Sequence, residues 1–347
     1  MNLKPLLLTV GLLAVCATAT WFLTQPPPQT AADPRVGSPL VDTGLLESAS
    51  KFQITQAGKS IELTRSENGT WTVPSYHNLD ADLERLAQVA EGLGNATWKS
   101  FVTNNPESLK RLDLGSLTVT VTADKHQPVQ LQLGRTFEGG GRFVRLGEEQ
   151  KAFLTDLSVW IDSDPKSWVN SALLPIKAED IASLEVPLSD GRRVTIKRTS
   201  PTEAYTSAEV PAGKQLKASQ VTSATSALTA LRFSETRDVN DKDYVAATAH
   251  ARSLKVTTFA GRTFAIDLLQ SPAPPPADKT GTASDQASSP EPVATATPPP
   301  QPVFVRIRDS ESASRLNTAM TNRAFETYSY VPSSFPLNGE AWWEDSK

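Results

Sequence analysis

A chain of 347 residues, 39% hydrophobic and 21% charged, is long enough for two ordinary domains and apolar enough to fill their cores. Its formal net charge of -4, without a basic stripe or an acidic tail, argues against nucleic acid as a partner. Cys16 is the lone cysteine, which excludes an internal disulfide and a thiolate zinc site, and His77, His126 and His250 are too scattered to suggest a ligand cluster.

A short positive start, ending at Lys4, precedes PLLLTVGLLAVCATATWFL at 5–23. These roughly 19 residues carry no charge and approach the roughly 20 that span a bilayer as a helix. Trp21 and Phe22 suit the membrane interface, and Pro26-Pro27-Pro28 stops the helix just outside it. Lys4 keeps the short end cytoplasmic, so residues 1–25 read as a single-pass anchor in the inner membrane with the bulk of the chain periplasmic. Two rival readings are cleavage after Ala17-Thr18-Ala19 and a lipoprotein box at Leu13-Ala14-Val15-Cys16, where Val15 is large for its position. Residues 26–45, rich in Pro, Thr, Ser and Ala, read as a linker.

A first unit is expected at 46–175. Phe52-Gln53-Ile54 and residues 60–64 flank Ala57-Gly58-Lys59 as a hairpin, with Trp71-Thr72-Val73 as a third strand. Asp80-Ala81-Asp82-Leu83 opens a helix to about Gly92, its apolar face predicted as Leu83, Leu86, Ala87, Ala90 and Leu93. Strands follow at 117–121, 129–133 and 142–146, the last after the turn at Gly139-Gly140-Gly141.

The same order recurs at 176–335, as expected of an internal duplication. Residues 181–186 and 193–197 flank Asp190-Gly191, and a helix is predicted from about Ser219 to Leu231. Residues 254–258 match 117–121, residues 263–267 match 129–133, and Phe304-Val305-Arg306 matches Phe143-Val144-Arg145. Both Phe-Val-Arg strands are expected to lead into helical segments. The repetition places 271–302, almost wholly Pro, Ala, Thr and Ser, as a disordered loop inserted where the first unit has a short turn. Residues 336–347 are left as a C-terminal tail, with Trp342-Trp343 either tucked against the body or presented to a partner.

The β-rich opening, the run from Gly139 to Arg145 and the passage from Asp164-Pro165-Lys166-Ser167-Trp168 to Pro175 resemble a bacterial family named only as domain of unknown function 4340. The likeness covers about 45–335. Members are often encoded beside ABC-type transport systems of the gliding-motility kind, so the resemblance implies an accessory envelope role and carries over no catalytic residue.

The residues themselves nominate no catalytic, cofactor or metal site. Ala57-Gly58-Lys59-Ser60 lacks the first glycine of a phosphate-binding loop and sits in a hairpin. Asp238, Asp241 and Asp243 lack the glycine and spaced glutamate of a calcium loop and read as a solvated connection. The expected fold is therefore α+β, with two tandem related units of mainly antiparallel sheet and a few helices, preceded by one transmembrane helix. The expected role is non-catalytic, with protein partners that include ABC-type transporter subunits, and without cofactor or nucleic acid. The alternatives are an envelope glycan-binding module, which would line a groove with aromatics, and a hydrolase, which would cluster acid, base and nucleophile.

Overall fold

The computed structural model describes residues 33–124, 126–272 and 301–346. The predicted anchor at 1–25, the start of the linker and all but the ends of the inserted segment at 271–302 lie outside the described residues. Among the described residues no helix is long and apolar enough to cross a membrane. The fold is mixed α+β with antiparallel sheets, and it divides into two compact units at Asn170/Ser171.

In the first unit β1 (Ala49–Gln56) and β2 (Lys59–Arg65) meet through Ala57 and Gly58, at φ 50° and 78°. That left-handed pair is the backbone a two-residue hairpin requires. Next come β3 (Trp71–Val73), β4 (Leu79–Asp80), β5 (Trp98–Thr103), β6 (Leu117–Ala123), β7 (His126–Thr136), β8 (Arg142–Leu146) and β9 (Ala152–Thr155). They form a nine-stranded sheet in the order β4-β3-β2-β1-β6-β7-β8-β9-β5. The helices are α1 (Thr43–Glu47), α2 (Leu83–Asn95) and α3 (Pro106–Lys110). Asp82 caps α2 by accepting from the Arg85 amide. The helix buries Leu86, Val89 and Leu93, whereas Leu83, predicted on the apolar face, is 59% exposed. At 3.6 residues per turn the row through 86, 89 and 93 leaves Leu83 and Ala87 on its flank.

The second unit contains β10 (Ile181–Pro187), β11 (Arg193–Lys197), β12 (Lys214–Leu216), β13 (Phe233–Asp238), β14 (Ala251–Thr258), β15 (Thr263–Gln270), β16 (Val303–Asp309), β17 (Arg323–Thr327) and β18 (Trp343–Asp345). Its helices are α4 (Ala218–Thr229), α5 (Lys242–Thr248) and α6 (Arg315–Asn322). The main sheet has seven strands in the order β11-β10-β14-β15-β16-β17-β13, and β12 pairs with β18 apart from it. Set beside β2-β1-β6-β7-β8-β9-β5, this is the same topology, strand for strand.

The agreement extends to single residues. Phe52 pairs with Leu63 and Val121, as Leu184 pairs with Ile196 and Val256. Register shifts fall between Ala49 and Lys51 in β1 and between Ile181 and Ser183 in β10, and again after Trp98 in β5 and after Phe233 in β13. The Trp98–Phe153 ring pair, at 5.2 Å, has its counterpart in Phe233–Phe325 at 5.3 Å. Such bulges re-aim strands at fixed places, and their recurrence at matched positions is not required by a generic sheet.

The structure corrects further sequence readings. Val121 stands opposite Phe52 as Val256 stands opposite Leu184, so 117–121 matches 252–256, two residues away from the predicted alignment. Val129 likewise matches Phe264 rather than Thr263. The linker ends earlier than residue 45, because Leu40, Val41 and Leu45 are buried and Pro39 bridges Thr97 just as Ala172 bridges Arg232. Ser38-Pro39-Leu40-Val41 is thus the counterpart of Ser171-Ala172-Leu173-Leu174. Finally, β16 does lead into α6, but β8 reaches β9 through 147–151 without a helix.

The C-terminal tail also proves to be structure. Trp342 is fully buried, its indole N–H donates to the Pro336 carbonyl, and its own carbonyl accepts from Lys217 at the start of α4. Trp168 repeats this, donating to the Asp162 carbonyl while its own carbonyl accepts from Asp82 at the start of α2. Both tryptophans end short 3-10 turns, Pro165–Trp168 and Gly339–Trp342, capped by Asp164 and Asn338. Each closes its own unit. Within the glycine run, Gly141 sits at φ +87 with the Thr155 carbonyl oxygen 1.9 Å from where a Cβ would lie. Only glycine fits there.

Candidate functional site: the open sheet faces

Period-two alternation buries one face of each sheet. In the first unit this face holds Phe52, Ile54, Ile61, Leu63, Val119, Val121, Leu131 and Leu133. In the second it holds Leu184, Val186, Val194, Ile196, Leu254, Val256, Phe264 and Ile266. The opposite face is covered at one side only. There Leu109 and Leu112 meet Phe143 and Ala152, and Tyr244 and Ala247 meet Leu269, Phe304 and Ala324. Phe143 and Phe304, the residues of the repeated Phe-Val-Arg, are equivalent anchors of these small clusters.

Beyond them the faces stay polar and mostly half-exposed. Across the first sheet run Glu62, Gln53, Thr120 and Gln130 in register, with Ser60, Thr55, Thr118 and Gln132 in the next row. Gln132 is buried; its amide donates to Glu148 at 2.8 Å and its oxygen accepts from Arg145. Across the second sheet Thr195, Glu185, Lys255 and Ala265 form the matching row. Asp267 occupies the place of Gln132, and Arg306 that of Arg145. The Asp267 side chain is 1% exposed and accepts from Ser253 at 2.6 Å, Arg306 at 2.8 Å and Arg308 at 2.8 Å. Burial pushes its carboxyl up, but the Ser253 hydroxyl and the two guanidiniums outweigh burial and hold it below the ordinary carboxylate range.

A separate open depression of about 470 Å³ in the first unit is lined by Arg35, Asn104, Glu149, Gln150 and Lys151. Its charges pair with one another: Arg35 with Asp33 and Glu149, each at 2.9 Å, and Lys151 with Asp33 at 3.1 Å. The Arg35 guanidinium holds the Asp33 carboxyl well below its usual range and stacks over Phe153 at 4.6 Å. This is an ion-pair network that fixes the start of the unit.

His77 lies in a left-handed cap beside Tyr76, His126 opens β7 and His250 follows α5. Asp238 ends β13, Asp241 caps α5, and Arg237 meets Asp243, Asp241 and Glu326, so the three-aspartate stretch is a strand-to-helix connection. Among the described residues no group of three or more His, Cys, Asp or Glu side chains could hold a metal ion.

The family model described as domain of unknown function (DUF4340) matches residues 71–249, just over half of the chain. The chain belongs to this family. The match begins at β3 and ends just after α5, so it takes part of each unit and crosses the division at Asn170/Ser171. No curated protein and no solved structure matches the chain.

Proposed function

We propose that this DUF4340 protein is a non-catalytic, membrane-anchored extracytoplasmic docking subunit, built by duplication of one β-rich unit. In this reading residues 5–23 hold it in the inner membrane, and the open sheet faces bind protein partners, ABC-type transporter subunits among them. The observation that carries the reading is the pair of sheets with one topology, each leaving a broad polar face uncovered. A flat polar face offers many shallow contacts, which suits a protein surface better than a small molecule in need of a concave site. The anchor is supported by the uncharged run at 5–23.

The test is affinity purification of the full chain from membranes washed at high salt and alkaline pH. The intact chain is expected to stay in the membrane fraction and to bring an integral-membrane transport subunit with it. Release of a chain shortened at its N-terminus, or purification without a transport component, would contradict the proposal.

A further inference from the structure

Because the two open faces share a register, the first unit is an internal control for what the fold itself needs. On the second face Glu185 meets Lys255 at 3.1 Å and Arg193 at 3.5 Å, while Asp267 meets Arg306 and Arg308, each at 2.8 Å. The register-equivalent residues of the first face are Gln53 for Glu185, Thr120 for Lys255 and Ser60 for Arg193. Gln132 stands for Asp267, Arg145 for Arg306 and Gly147 for Arg308. Lys197 occupies the place of Thr64. With Arg145 alone retained among these positions, and with one ion pair of its own, Lys51–Glu62 at 2.7 Å, where the second face has Ser183 and Thr195, the same sheet forms, so this particular set of charges on the second face is not demanded by folding.

Those charges do not cancel. Each carboxylate is shared by two cations, and Lys197 adds a further positive group. Arg193, Lys255, Arg306 and Arg308 keep between 36% and 55% of their side chains exposed. The partly exposed Glu185 pairs contribute little stability, about 0–1 kcal/mol each, but they hold the cationic heads in fixed places. Glu209 reaches the β11 edge at the Thr195 amide, 3.4 Å away.

We propose that the open face of β11-β10-β14-β15-β16 docks an acidic segment of a protein partner. This rests on the docking reading above and gives it a face and a chemistry. The charge pattern favours protein over lipid: a uniformly anionic headgroup layer would meet Glu185 as well as the cations. A peptide with spaced carboxylates can match Arg193, Lys255 and Arg308 individually and leave hydroxyl or amide groups for Glu185 and Thr195.

The experiment uses the full chain in detergent and an exchange variant, E185Q/R193S/K197T/K255T/D267Q/R308G, in which every new residue is the one the first unit carries. The probes are a labelled peptide alternating Glu and Ser, its Gln/Ser counterpart, and a water-soluble short-chain phosphatidylglycerol, which presents the anionic headgroup without a bilayer for the anchor to enter. The acidic peptide is expected to bind the unaltered chain, more weakly as salt rises, and to bind the variant at least about tenfold more weakly, while its neutral counterpart fails on both. The smaller exchange K255T/R308G should show the same direction and guards against a folding defect. Equal peptide binding by both chains overturns the inference, as does binding of the soluble phosphatidylglycerol in preference to the peptide. If the transport subunit still co-purifies with the variant in full yield, this inference falls while the docking reading stands. If it co-purifies with neither chain, the docking reading itself has failed.

Discussion

Trp342→Ala is expected to destabilise the second unit by about 3–5 kcal/mol, the usual loss for truncating a fully buried tryptophan. The size follows from its position rather than from burial alone. The Trp342 carbonyl accepts from the Lys217 amide that starts α4, and the next residue, Trp343, opens β18 and pairs with Leu216 of β12. A cavity at Trp342 therefore loosens the chain terminus, the helix start and the small sheet together. Urea unfolding of the full chain, followed by the signal of the second unit, should show a markedly earlier transition. A change within about 0.5 kcal/mol, the ordinary range of a surface substitution, would mean that residues 336–346 are a peripheral tail after all.

Asp267→Leu is expected to cost about 2–3 kcal/mol at neutral pH. Orphaning a buried charge costs about 3–5 kcal/mol, and the loss here is smaller because Arg306 and Arg308 can turn into solvent. Asp267→Gln should cost much less, since Gln132 fills the equivalent place and accepts from Arg145. The pH dependence has a definite sign. The folded Asp267 carboxyl titrates below its unfolded value, so its stabilisation is fully present above about pH 4, the ordinary aspartate value, and is lost as pH falls through the folded value. Denaturation curves of wild type and Asp267→Leu should accordingly converge in acid. A gap that persists unchanged well below that pH would show that the cost is steric, with no contribution from the charge.

Much of the architecture was legible from residue order. The hairpins announced themselves by period-two alternation around Ala57-Gly58 and Asp190-Gly191, and the Phe-Val-Arg repeat marks equivalent strands in the two sheets. The register within those strands was not legible. A run such as Leu-Thr-Val-Thr-Val looks the same when shifted by two residues, and only its cross-strand partners, Phe52 for Val121 and Leu184 for Val256, fix where it lies. The unit boundaries were hidden for a related reason. Ser38-Pro39-Leu40-Val41 reads as the end of a Pro-rich linker until it pairs with Trp98, and Trp342-Trp343 reads as a polar tail's aromatic pair until it packs like Trp168. On the candidate face, Lys255 and Arg306 could be assigned an outward side from alternation alone. Which carboxylate each would meet depends on strand order, which single-strand patterns do not contain.

In the proposed function the open faces, and not the helical sides, do the docking. Site-specific photo-crosslinking in membranes tests it most directly, with a crosslinker placed in turn at Thr120 and Lys255 on the open faces and at Gln88 and Thr222 on exposed positions of α2 and α4. Crosslinks from Thr120 or Lys255 to a membrane transport subunit, with none from Gln88 or Thr222, are the predicted result. Crosslinks to that subunit from Gln88 and Thr222 alone would contradict the account.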